Sequence, residues 1–185
     1  VRIGNFKRLA ILSVFVVSLG IVGCGNSTVS KDIADESKVN LTTVLKYKDS
    51  YIGDNSAITN IVNNLPANIY NERIDLQTAS KPYEITIQYK GFKDISIRFE
   101  DDSVITSSFQ YVMKNNALIL LSLVQNADIV NFDIDDGTII TYERTSLVNA
   151  YKDDFGNNLE EITKDKSSLE NFIKTNKINK RLTPQ

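Results

Sequence analysis

Ile129–Tyr142, IVNFDIDDGTIITY, decides how this chain folds. Two runs rich in β-branched and aromatic residues, Ile129–Ile134 and Thr138–Tyr142, flank Asp135-Asp136-Gly137. An Asp-Gly pair accepts the positive φ angles of a tight β-hairpin turn, so the stretch predicts a hairpin. Upstream, Tyr83, Ile85, Ile87 and Tyr89 alternate with Glu84, Thr86 and Gln88, and Ile95, Ile97 and Phe99 repeat the pattern around Ser96 and Arg98. Period-two alternation marks half-buried strands. With Lys90-Gly91-Phe92-Lys93 between them, these two are expected to form a second hairpin, and Arg73–Thr78 to add another strand.

Helical spacing fills the rest. Ile58, Ile61, Val62 and Leu65 share one face of a predicted helix over 56–65, with Asp54, Asn55 or Ser56 as N-cap and Pro66 as terminator. The longest helical pattern runs from Val104 to Asn126. Its apolar face includes Phe109, Val112, Met113, Ile119 and Leu123, and Glu100-Asp101-Asp102 precede it as capping charges. Lys114-Asn115-Asn116 offers a point where this helix could divide, and Asn116 falls on its apolar side. Further helices are expected over 146–153 and 168–175, the second opened by the capping-box spacing Ser167-Ser168-Leu169-Glu170. Hairpins with separate helices predict an α+β fold built on an antiparallel sheet.

The amino-terminal region carries a different signal. Arg2, Lys7 and Arg8 precede the apolar run Leu9–Val22, which matches a secretory leader and is shorter than the about 20 residues a spanning helix needs. The run ends in Ile21-Val22-Gly23-Cys24, which is similar to a bacterial lipobox, and Cys24 is the chain's single cysteine. The expectation is cleavage between Gly23 and Cys24, with diacylglycerol on the Cys24 sulfur and further acylation such as palmitate. Two or more acyl chains suffice for stable residence at a bilayer. The predicted organisation is a signal peptide at 1–23, a lipidated cysteine and flexible polar tether at 24–43, one α+β domain at 44–178 and a tail at 179–185. The protein is thereby expected on the outer face of the cell membrane.

Three of the 21 basic residues lie before Cys24 and none of the 23 acidic ones, so the processed chain carries a balance of −5. Such a surface disfavours phosphate backbones, and nucleic acid is not an expected partner. The chain contains no histidine. Ser-His-Asp and Cys-His catalysis and imidazole zinc sites are therefore excluded. No cofactor motif and no metal site is expected. Asp133–Gly137 places its glycine fifth where a calcium loop has it sixth, and Arg144 stands where that loop has its bidentate glutamate.

Tyr47-Lys48-Asp49-Ser50-Tyr51-Ile52-Gly53-Asp54-Asn55-Ser56, the later Leu65-Pro66, Asn116–Asn126, and a Tyr142 strand running toward Tyr151 together resemble a bacterial domain of unknown function, DUF4825. That family occurs in lipoproteins of low-GC Gram-positive bacteria and beside membrane zinc-peptidase sensors of the BlaR type. The resemblance covers about 44–155 and implies an extracytoplasmic α+β domain with a part in sensing or regulation. It brings no catalytic residues, and the peptidase motif His-Glu-x-x-His is absent here. The expected function is non-enzymatic binding of a protein partner or envelope ligand, with Tyr47, Tyr51, Asp54 and Asn55 as candidate contacts. A carboxylate-dependent envelope hydrolase or transferase is the rival reading, and a structural accessory subunit of a membrane complex a third.

Overall fold

Helix α3 (Phe109–Leu123) is buried on almost every side, with Phe109, Val112, Met113, Ala117, Ile119, Leu120, Leu121 and Leu123 at 1% exposure or less. A helix apolar around most of its circumference belongs inside a core. The computed structural model describes residues 35–91, 95–155, 161 and 163–171. Cys24, the leader at 1–23 and the tail at 179–185 lie outside the described residues, as do 24–34 of the expected tether. No helix among the described residues is long and apolar enough to cross a membrane.

The elements before α3 are β1 (Asp35–Lys38), α1 (Leu41–Leu45), α2 (Asn55–Val62), a 3-10 turn at Asn68–Tyr70, β2 (Asn71–Gln77), β3 (Glu84–Tyr89), β4 (Ile95–Arg98) and β5 (Val104–Ser107). After it come β6 (Ile129–Ile134), β7 (Ile139–Glu143), α4 (Arg144–Phe155) and α5 (Lys166–Asn171). The strands form two sheets, in the orders β1-β4-β5 and β2-β3-β6-β7. The fold is α+β, but the sheets are mixed. β1 runs parallel to β4 and β3 parallel to β6, while the remaining pairs are antiparallel.

The hairpin at 129–143 forms as its turn residues dictate: Gly137 has φ +87°, and its N–H donates to Ile134 O at 2.9 Å. The second expected hairpin does not form. β3 is flanked by β2 and β6, so both of its edges are occupied, and β4 pairs in the other sheet. A parallel β3–β6 pair needs a long crossover, and the segment carrying β4, β5 and α3 supplies it.

The long helix also begins later than its periodicity suggested. Val104, Ile105 and Thr106 are β-branched, and such side chains lose χ1 freedom in a helix but pack well on a pleated strand. They pair with β4, Val104 opposite Arg98. The acids expected to cap the helix instead shape the β4–β5 turn: Asp102 takes φ +62°, and Asp101 Oδ1 accepts the Ser103 backbone N–H at 3.1 Å. The helix does not divide at Asn115-Asn116. Asn116 Nδ2 donates to Pro66 O at 2.7 Å, which fastens α3 to the chain after α2.

The expected tether is too long at its carboxyl end. Within 35–43, β1 pairs with β4, and Val39 and Leu41 are 3% and 2% exposed. Sequestering such aliphatic side chains contributes about 2 kcal/mol each, enough to draw this polar-looking segment onto the core. The same hydrophobic cluster takes in Ile95 and Ile97 of β4, Ile85 and Ile87 of β3, and Leu147 and Leu169 of the last two helices. Helix α5 starts before its expected position, because Asp165 Oδ1 accepts the Ser168 N–H at 2.8 Å in the capping role.

Candidate functional site

Glu84, Ile129 and Glu143 are register partners across β3, β6 and β7, so they mark one end of the four-stranded sheet. The β2–β3 loop enters at this end, and the chain leaves it directly into α4. Between these segments lies an open groove of about 550 Å³ lined by Lys81 and Pro82 of the β2–β3 loop, Asp128 and Ile129 at the start of β6, and Glu143, Arg144 and Thr145 where β7 passes into α4. A second hollow of about 400 Å³ shares Glu143 and continues along Thr141, Tyr142, Ser146 and Leu147.

Arg144 organises the groove. Its Nε donates to Ala127 O at 2.7 Å and its Nη2 to Val124 O at 2.6 Å, and its backbone N–H donates to Asp128 O at 2.8 Å. Val124 is the C-cap of α3, so the guanidinium completes a helix end whose last carbonyls lack intrahelical donors. Half-burial pulls the Arg144 pKa below its ordinary value, opposed by the nearby Asp128 charge. Asp128 is equally committed. Its Oδ2 accepts the Tyr83 N–H at 2.8 Å while its own N–H donates to Tyr83 O at 2.9 Å.

The other two charges are freer. Lys81 Nζ stands 5.8 Å from the Tyr83 ring centroid and forms no ion pair among the described residues. Glu143 Oε2 accepts only a long 3.4 Å contact from the Ser146 hydroxyl. The groove thus has a fixed Arg144–Asp128 frame and an exposed cation and carboxylate at its rim.

The four contacts expected from sequence lie elsewhere, in the turn joining α1 to α2. Asp54 is the N-cap of α2, its Oδ1 accepting the Ala57 N–H at 2.9 Å. Asn55 is the helix's first residue, and Tyr47 packs half-buried against the core. Asp54 and Asn55 are exposed, and Tyr51 presents an aromatic surface at 58% exposure. The turn is pinned to the end of α3: Ser50 N–H donates to Leu123 O at 3.0 Å, Gln125 N–H to Ser50 O at 2.8 Å, and Ile52 N–H to Asn126 Oδ1 at 2.8 Å. It therefore adjoins the same 124–128 connection that Arg144 holds from the groove side.

Sequence reasoning did not single out the groove residues. One signal was present: an arginine opening a helix opposes the helix dipole, so its position calls for another partner. The acids of the β6–β7 turn hold backbone, Asp136 Oδ1 accepting the Thr138 N–H at 2.8 Å and Asp135 Oδ2 the Gly91 N–H at 3.1 Å. Among the described residues, no group of His, Cys, Asp or Glu is placed to hold a metal ion.

Two mixed sheets around one central helix, with a polar groove at the end of the larger sheet, define an α+β domain. A family model described as a domain of unknown function (DUF4825) matches residues 44–145, and the chain belongs to that family. No curated protein and no solved structure matches it.

Proposed function

We propose that the protein is a lipid-anchored, extracytoplasmic binding or sensing domain without catalytic activity, whose ligand or partner engages the face around the 124–128 connection. The observation that carries the reading is the state of the groove's charged groups. Arg144 and Asp128 are already bonded to backbone, an arrangement that holds a surface in shape. Among the described residues, the Glu100, Asp136 and Asp165 carboxyls are shifted downward, opposite to the shift that a general acid needs. None of the three lines the groove.

The anchoring half rests on Ile21-Val22-Gly23-Cys24 after the apolar run. It is tested by expressing the full chain in a Gram-positive host, fractionating the cells and determining the mass of the amino-terminal peptide. The wild-type protein should sediment with membranes, be digested by protease added outside, and begin at a diacylglyceryl-modified Cys24. Cys24→Ala should release it. An unprocessed amino terminus with a free thiol would refute the anchor. Turnover of a cell-wall substrate by the purified protein would replace binding by the hydrolase or transferase reading.

A further inference from the structure

We infer that the groove is a binding site for a short peptide carrying both a free carboxylate and a free ammonium group. The assignment deepens the binding-domain reading and rests on it. The groove's two inner charges offset one another and are bonded to backbone, so recognition falls to the rim pair of Lys81 and Glu143. One cation with no ion pair among the described residues and one carboxylate with a single long hydrogen bond complement a ligand with one group of each sign, whereas a simple anion would meet Glu143 as a repulsive neighbour.

Size and shape select a chain over a single amino acid. The groove of about 550 Å³ and the second hollow of about 400 Å³ both have Glu143 in their walls, where β7 passes into α4. Pro82 and Ile129 supply apolar contact in the first hollow, and Tyr142 and Leu147 do so in the second. β7 is an edge of its sheet, so one side of its backbone is left without a strand partner among the described residues. An extended peptide beside it can use those backbone groups for affinity while its charged groups set the register. The peptide carboxylate lies against Lys81 and its ammonium against Glu143.

The test is calorimetric titration of the full chain in detergent micelles with the tetrapeptide Ala-Ala-Ala-Ala, which carries one carboxylate and one ammonium, its amino-acetylated form and its carboxyl-amidated form. The free peptide should bind saturably. Lys81→Ala and Glu143→Gln should each weaken it about fivefold, the scale of one solvent-exposed ion pair. Both residues are exposed, and unchanged circular dichroism would show that the variants remain folded. Amidation should reproduce the Lys81→Ala loss and be indifferent to that substitution, while acetylation should do the same for Glu143→Gln. Equal affinity of both variants and the wild type, or no saturable binding, overturns the peptide site. If that happens while Cys24-dependent membrane attachment persists, only the ligand falls and the anchored-domain reading survives.

Discussion

Replacing Arg144 by methionine tests the frame on which the site is built. Methionine keeps a linear stem of similar length but removes the guanidinium bonds to Val124 O at 2.6 Å and Ala127 O at 2.7 Å. A hydrogen bond to a charged group contributes about 1.5–3 kcal/mol, with the low end fitting a half-buried site where water can reach the vacated carbonyls. Two such bonds give a gross loss of about 3–4 kcal/mol. Against this stands the cost of desolvating the guanidinium, visible in its lowered pKa, which its removal refunds in part. The expected net destabilisation is about 2–3 kcal/mol. With an m-value near 2 kcal/mol per molar, the urea midpoint should fall by about 1–1.5 M at unchanged slope. Arg144→Lys should recover less than half of this, because one ammonium cannot span both carbonyls in the forked geometry. The measurement is equilibrium urea unfolding followed by far-ultraviolet circular dichroism. A midpoint for Arg144→Met within about 0.25 M of the wild type would show that these short contacts contribute nothing net, and the account of the groove as a prebuilt frame would fail.

Phe132 is fully buried, stacked on Tyr89 at 5.6 Å and edge-on to Tyr142 at 6.0 Å, so Phe132→Ala should cost about 3–5 kcal/mol by the same assay. Asp54→Ala removes the α2 cap and should cost about 1 kcal/mol, while Asp54→Asn, which keeps a capping oxygen, should sit within a few tenths of the wild type. Gly137→Ala forces a Cβ into a φ of +87° and should destabilise the hairpin by about 1 kcal/mol, although nothing lies within 4 Å of the added carbon. Glu100 joins three distant segments: its Oε2 pairs with Lys166 Nζ at 2.7 Å and its Oε1 accepts the Thr42 N–H at 3.3 Å. Burial raises its pKa, but the bonds from Lys166 and Thr42 together outweigh that and leave it below the ordinary 4.5. A depressed carboxylate stabilises the fold above its unfolded pKa and loses that contribution as pH falls through the folded value. Glu100→Gln should therefore lower stability at pH 7 and shrink the fall in stability below about pH 4.5; an unchanged pH profile would remove Glu100 from the account.

Local chemistry carried much of the element pattern. The hairpin at 129–143, helix α2 with its Asp54 cap, and strand β3 follow from turn residues, capping oxygens and period-two alternation that act over a few residues. Pairing did not follow, because β3 and β4 are each amphipathic in a way that suits many neighbours. The nearest strand in sequence lost to a β6 that lies one crossover away. The residues 104–107 satisfied two periodicities at once, and cross-strand contact with β4 selected the strand.

The sequence by itself determined the α+β class, the Asp54 cap of α2, the tight turn at Gly137 and, by containing no histidine, that no imidazole chemistry is available within these residues. Tertiary structure alone decided that Val39 and Leu41 belong to the core, that the sheets are mixed, and that Lys81, Asp128, Glu143 and Arg144 share a groove. The reason is range. Caps and turns are settled by atoms within four or five residues of one another, whereas the groove brings together positions more than 60 apart, placed only when buried strands fix their register.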